Sequence, residues 1–226
     1  MGNRIPVSAV MVDLDGTLLD TAQDLATAAN LMLDELGLAK VDDEKIKTFI
    51  GKGVANLAKK TLEASTGSVP EDAYFDSALE IYEKHYLEVV SQDSRPYPGV
   101  VEGLQAMKAQ GYRLACITNK VAKFTLPLLK DTGLHDYFEI ILSGDSLPKK
   151  KPDPMPLLHA CNHFGIEPSA MLLIGDSIND VQAARAAGCA IFVVPYGYNE
   201  GNDPRELDSD ALVESLLDAT RLIVKS

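Results

Sequence analysis

Short apolar runs alternate with helical patterns along most of the chain, and this alternation limits the possible folds more than any other feature. The runs at 7–12, 113–118, 138–142, 171–174 and 190–194 are typical of buried strands. Several of the helical patterns between them end at a glycine, a common helix stop. The alternation predicts an α/β fold with a doubly wound, Rossmann-like parallel sheet, in which ligands bind at the carboxyl ends of the strands.

The stretch from residue 20 to residue 94 interrupts this alternation. It contains helical patterns and no convincing strand. The segment Arg-Pro-Tyr-Pro-Gly at 95–99 is stiff and rich in turn-forming residues, as expected for a hinge. We therefore predict a helical cap domain over residues 20–94, inserted into a core domain formed by residues 1–19 and 95–226.

The composition restricts the partners that this chain can have. Its 226 residues include 21 Lys and Arg against 33 Asp and Glu, a formal net charge of −12. Nucleic acids and anionic membranes require clustered basic residues, so neither is expected as a partner. No apolar run approaches the roughly 18 residues of a membrane span. The cysteines are scattered among apolar residues, which is typical of free thiols in a reducing compartment, and we expect a cytoplasmic protein.

Acidic residues follow two of the predicted strands. Asp13 and Asp15 end the first strand, and Asp176 and Asp180 follow the strand at 171–174. In extended backbone alternate side chains point the same way, so Asp13 and Asp15 can face one site. Each pair alone is also compatible with a turn or a helix cap. Two acidic pairs at equivalent strand ends favour a Mg²⁺ site, because Mg²⁺ prefers oxygen ligands.

Two further segments carry groups that suit an anion. Thr118 and Asn119 end another strand with a hydroxyl, an amide and backbone N–H groups near a helix start, which together suit a phosphate. The chain also contains three consecutive lysines, of which the last, Lys151, precedes Pro152. The proline restricts the chain and pre-positions the Lys151 side chain, whereas the other two lysines fit an exposed loop.

Taken in order, these motifs resemble the four-part signature of the haloacid dehalogenase superfamily of phosphohydrolases. The matching segments are Asp13-x-Asp15-Gly-Thr17, Thr118-Asn119, Lys151-Pro152 and Gly175-Asp176-Ser-x-x-Asp180. The resemblance spans the chain, including a helical cap inserted after the first motif. Within the superfamily, other segments resemble bacterial phosphoglycolate phosphatases most closely, at 18–21, 50–53, 98–100, 118–120 and 175–177.

The resemblance implies an enzyme that hydrolyses phosphomonoesters, most closely 2-phosphoglycolate to glycolate and phosphate, through an aspartyl-phosphate intermediate. Asp13 would be the nucleophile. Asp15 would protonate the leaving alcohol and later deprotonate the hydrolytic water. The implied cofactor is Mg²⁺, bound by the Asp13 carboxylate, the Asp15 backbone carbonyl and Asp176. The implied partner is a small phosphorylated metabolite, and the protein would be a monomer or a homodimer.

The same resemblance implies the binding groups of the core. Lys151, Thr118 and the backbone N–H of Asn119 would hold the oxygens of the transferred phosphoryl group. Asp180 would act indirectly, by orienting Lys151 or a water on the metal.

The cap would exclude bulk water and recognise the leaving group. Lys52, between Gly51 and Gly53, is a candidate to bind a second anionic group of the substrate, such as a carboxylate. A flexible helix junction with a solvated lysine explains the same three residues equally well.

Other functions remain open at this level. A phosphosugar mutase, a pyrophosphatase or a broad-specificity phosphatase of the same fold would use the same core residues and differ in the cap. Dehalogenation at carbon is disfavoured, because it has no use for Asp15 or for Mg²⁺. A non-catalytic phosphate- or metal-binding module is also disfavoured, because a chemically competent residue occupies every position of the signature.

Overall fold

The computed structural model of the chain describes residues 4–199 and 203–226. The chain divides into two compact units. The sheet unit takes in the chain up to Asp20 and again from Pro96, and the helical unit is Thr21–Arg95. None of the helices in the described residues is long and apolar enough to span a membrane.

Strands of two to five residues lie almost entirely in the sheet unit. They are β1 (Ile5–Val7), β2 (Ala9–Val12), β3 (Leu19–Asp20), β4 (Arg95–Pro96), β5 (Arg113–Ile117), β6 (Ile140–Leu142), β7 (Met171–Gly175), β8 (Ala190–Val193), β9 (Ala211–Leu212) and β10 (Ile223–Lys225). Within the described ranges, the main sheet has the order β6-β5-β2-β7-β8-β9, and its neighbouring strands are parallel. The predicted doubly wound α/β fold is therefore confirmed.

The helices follow the predicted alternation. They are α1 (Ala22–Glu35), α2 (Asp43–Lys47), α3 (Val54–Thr66), α4 (Asp72–Val89), α5 (Val100–Ala109), α6 (Ala122–Asp131), α7 (Met155–Phe164), α8 (Ile178–Ala187) and α9 (Leu216–Ala219). One apolar core joins the central strands to α7 and α8. Strand β2 lies between β5 and β7 and is buried throughout, which explains its uninterrupted apolar sequence.

The amino-terminal apolar run differs from its prediction as one strand. It is divided at Ser8 into β1 and β2, and β1 pairs with β10 instead of joining the main sheet. Pro6 lies within β1 and has no backbone N–H, so it suits a short peripheral pair better than a central ladder. This division leaves the buried β2 to position the first acidic motif.

The helical unit packs mainly through α1 and α4. Tyr82 and Tyr86 of α4 are fully buried in it. The buried Asp24 of α1 accepts hydrogen bonds from the backbone N–H groups of Asp93 and Ser94, at 2.8 and 2.9 Å. These bonds fix the end of the unit, just before the chain returns to the sheet unit.

Candidate active site

The predicted residues of the core collect at the carboxyl edge of the parallel sheet. Asp13 follows β2, Thr118 follows β5, and Asp176 follows β7. The Asp13 N–H donates to the carbonyl of Ile174 at 2.9 Å, and the Thr118 N–H donates to that of Leu142 at 2.9 Å. These bonds continue the sheet ladder beyond the strand ends, so the side chains stand on a rigid edge.

Lys151 is the centre of a buried ion-pair cluster. Its Nζ lies 2.8 Å from Asp13 Oδ1 and 2.6 Å from Asp180 Oδ1, and it donates to the Ile117 carbonyl at 2.7 Å. Burial alone would lower the pKa of Lys151, but Asp13 and Asp180 raise it above its usual range. Lys151 therefore carries a fixed positive charge within the sheet edge.

The carboxylates around this lysine are strongly desolvated. Asp13 is 9% exposed, and burial is the main cause that raises its pKa to about 7; Lys151 opposes that rise and Asp180 adds to it. The pKa of Asp176 is also raised by burial, and then by Asp13 and Asp180. The cluster contains three carboxyl groups and one ammonium group, and a bound cation would balance the negative charge that full ionisation of the carboxyl groups gives.

Asp176 is held in one orientation by hydrogen bonds to both of its carboxylate oxygens. The Thr17 hydroxyl donates to Oδ1 at 2.8 Å, and the Tyr198 backbone N–H donates to Oδ2 at 2.6 Å. Glycines line this contact, because a Cβ at Gly16 or Gly197 would overlap the Asp176 side chain. The loops after β2, β7 and β8 can therefore meet at one carboxylate.

The acidic cluster fits a divalent cation. Asp13, Asp176 and Asp180 each offer a carboxylate oxygen, and these oxygens lie within 4.8 Å of one another. Asp180 is already engaged, since its Oδ1 contacts Lys151 and its Oδ2 accepts from the Ser177 hydroxyl at 2.6 Å. Asp13 and Asp176, the carboxylate ligands that the resemblance implies, offer hard oxygen donors of the kind that suits Mg²⁺.

Asp15 contacts a lysine other than Lys151. Lys120 Nζ lies 2.8 Å from Asp15 Oδ1, and the two side chains are 3% and 21% exposed. Asn119 also acts through its side chain, because its amide donates to the Lys151 carbonyl at 2.8 Å. That bond ties the Lys151 loop to the end of β5.

The structure brings most of the predicted site residues to one edge of the sheet unit, namely Asp13, Asp15, Thr118, Asn119, Lys151, Asp176 and Asp180. Lys52 belongs to the helical unit, where it is exposed between α2 and α3. Sequence reasoning missed Thr17, Lys120 and Tyr198 as site residues. The first two lie inside the quoted motifs, and Tyr198 follows β8, another strand that ends at this edge.

Several known proteins are similar to this chain over most of its length. Residues 10–194 match the family model of haloacid dehalogenase-like hydrolases. The chain is 60% identical to the phosphoglycolate phosphatase of Nitrosospira multiformis and 59% identical to that of Thiobacillus denitrificans, over 98% of each chain in both comparisons. It also superimposes with a TM-score of 0.89 on a solved structure described as a predicted phosphoglycolate phosphatase from Haemophilus somnus 129pt. That pair is 34% identical, over 95% of this chain and 97% of the other.

Proposed function

This chain belongs to the haloacid dehalogenase-like hydrolase family, and on that premise we propose that it is a Mg²⁺-dependent phosphatase that hydrolyses 2-phosphoglycolate to glycolate and phosphate. The full-length similarity to two phosphoglycolate phosphatases supports the substrate. The buried cluster of Asp13, Asp176, Asp180 and Lys151 carries the proposal for the chemistry. It combines a desolvated nucleophile, a fixed cation and three carboxyl groups.

Mg²⁺ would be held by the Asp13 carboxylate, the Asp15 backbone carbonyl and Asp176. When bound, it supplies positive charge that reduces the repulsion between an anionic nucleophile and an anionic phosphate. Thr17 and the Tyr198 N–H orient Asp176 for this task.

Asp13 is the nucleophile in this proposal. One of its carboxylate oxygens attacks phosphorus, the bond from phosphorus to the ester oxygen breaks, and an aspartyl-phosphate forms. Asp15 gives its proton to the departing alcohol oxygen. In the second step Asp15 takes a proton from water, the water oxygen attacks phosphorus, and Asp13 is released with inorganic phosphate.

Lys151, Thr118 and the Asn119 backbone N–H bind the phosphoryl oxygens, on which charge is spread in the transition state. Asp180 positions Lys151, because its Oδ1 lies 2.6 Å from the ammonium nitrogen. Asn119 positions the same lysine through the backbone of the Lys151 loop. The phosphate-binding ammonium is thus held from two sides.

The helical unit acts as the cap in this proposal, and Lys52 binds the carboxylate of the substrate. Lys52 is exposed, and the positive φ angles of Gly51 and Gly53, 125° and 88°, give the segment a conformation that favours glycine.

The test is Mg²⁺-dependent phosphate release from a panel of 2-phosphoglycolate, β-glucose 1-phosphate, nucleotides, pyrophosphate and acetyl phosphate. We expect kcat/KM to be at least about tenfold higher for 2-phosphoglycolate, a difference of roughly 1.4 kcal/mol in transition-state binding.

Two variants test the assigned residues. Asp13→Asn should abolish phosphate release, and Lys52→Ala should raise KM for 2-phosphoglycolate far more than for a phosphate ester whose alcohol carries no charge. A flat profile would reject the substrate, and no release from any compound would reject the phosphatase.

A further inference from the structure

We propose that Lys120 is a positioning residue that holds the acid–base carboxyl group of Asp15 through one oxygen, and thereby controls how well the enzyme expels poor leaving groups. This inference rests on the proposed function, since it assumes that Asp15 protonates the leaving alcohol. The contact that carries it is the 2.8 Å ion pair between Lys120 Nζ and Asp15 Oδ1.

The burial of Lys120 is unusual for a lysine. Among the residues that the structure describes, the buried lysines are Lys120 and Lys151, which are 8% and 3% exposed. Lysine is rarely buried unless it is paired, because desolvating an ammonium group is unfavourable. Lys151 forms ion pairs with Asp13 and Asp180, whereas Lys120 forms an ion pair with Asp15. Each buried lysine therefore contacts a different aspartate of the first acidic motif.

The backbone of Lys120 gives its side chain a rigid base. Its N–H donates to the Thr118 hydroxyl at 3.1 Å. Its carbonyl accepts from the Gly144 N–H at 2.8 Å and from the Thr125 hydroxyl at 3.1 Å. With these three bonds at the end of β5, Lys120 projects from a fixed point, and its ammonium group limits the rotation of the Asp15 carboxyl group.

Lys120 contacts Asp15 Oδ1 and takes no direct part in the proton transfer. In the first step the Asp15 carboxyl group loses its proton to the ester oxygen as the bond from that oxygen to phosphorus breaks. In the second step the same carboxyl group regains a proton from water. Lys120 keeps its own protons throughout, and its part is to hold the carboxyl group in the orientation for transfer.

The experiment compares two esters that differ in their need for a proton. The alcohol of 2-phosphoglycolate is a poor leaving group that requires protonation, whereas nitrophenolate leaves p-nitrophenyl phosphate without a proton. The parameter is kcat/KM, because it reports the first chemical step, in which the leaving group departs. We expect Lys120→Met to lower kcat/KM for 2-phosphoglycolate about 10- to 100-fold and that for p-nitrophenyl phosphate by less than about threefold.

Three further variants complete the test. Asp15→Asn should show the same selectivity, and Asp15→Asn/Lys120→Met should be no worse than Asp15→Asn alone, because Lys120 acts through Asp15. Lys130→Met, an exposed lysine of α6, is the matched control and should match the parent enzyme. Equal losses for both esters, or additive losses in the double variant, would overturn the role of Lys120. A parent enzyme that hydrolyses neither ester would instead overturn the proposed function.

Discussion

At the scale of one residue, the burial of Asp13 suits a reactive carboxylate and lowers the stability of the folded state. Its carboxyl group is almost fully buried, and Asp180 adds a second negative charge close to it. Lys151 compensates only part of this unfavourable environment, since the pKa of Asp13 is still raised to about 7. A carboxylate that has lost its hydration is more reactive as a nucleophile. The same loss of hydration lowers the free energy of unfolding.

The raised pKa of Asp13 predicts the pH dependence of the metal-free protein. Between pH 4 and pH 7 the folded state holds a proton on Asp13 that the unfolded state has released, so the free energy of unfolding should fall as pH rises through this range. The slope from this group is at most about 1.4 kcal/mol per pH unit. Asp13→Asn should weaken the slope and be the more stable protein above pH 7. Urea unfolding in EDTA across this pH range would measure both effects.

Asp153→Asn is the control for this measurement, because Asp153 pairs with Lys149 away from the cluster. A parent protein whose metal-free stability rises between pH 4 and pH 7, with Asp13→Asn no different, would contradict the assigned environment of Asp13.

At the scale of elements, the site depends on loops that follow different strands. These loops approach one another closely at glycines, which have no Cβ. The loop after β8 places Gly197 against Asp176, where a Cβ would overlap the carboxyl group. The next residue, Tyr198, donates its backbone N–H to the same carboxylate. The strand ends were predictable from the sequence, but the contact between the β7 and β8 loops was not, because it depends on strand order and on the path of each loop.

Gly197→Ala should therefore lower the affinity for Mg²⁺, with a smaller effect on the free energy of unfolding. The added methyl group must displace Asp176 or the Tyr198 N–H, and misplacing a ligand or its hydrogen-bond partner commonly reduces metal affinity about 10- to 100-fold. Titration calorimetry with Mg²⁺ would measure the change. The control is Gly188→Ala at the end of α8, where a Cβ meets no atom within 4 Å but φ is +78°. That variant should lose about 1 kcal/mol of stability and keep its Mg²⁺ affinity, and equal affinities in both variants would contradict the steric argument.

At the scale of the whole molecule, the predicted fold class and the predicted phosphatase of the haloacid dehalogenase superfamily are confirmed. The chain forms a sheet unit and a helical unit, and the acidic cluster lies wholly in the sheet unit. That unit is built from two separate parts of the chain, up to Asp20 and from Pro96 onward. Asp13 comes from the first part and Asp176 from the second, so a ligand that binds both links the two parts.

Mg²⁺ should consequently stabilise the folded protein against unfolding. Binding to the folded state alone adds about 2.7 kcal/mol when the free concentration is 100 times Kd. Thermal unfolding with increasing Mg²⁺ would show this as a rising Tm, and EDTA would reverse it. Asp176→Asn should abolish the rise, whereas Asp153→Asn should retain it. If Mg²⁺ raised the Tm of the parent and Asp176→Asn equally, the proposed ligand set would be wrong.

The sequence by itself determined the parallel sheet, the sheet edge that carries the proposed site and most of the residues collected there, because buried strands and strand-end acids are local patterns in the chain. Only the tertiary structure decided the partners of those residues. Lys120 pairs with Asp15, Tyr198 reaches Asp176, and β9 and β10 find their positions through residues far apart in the chain. The physical reason is that a spacing pattern reports which way a side chain points from its own strand. A partner brought in by another strand is set by the order of the strands and the close packing of the loops between them.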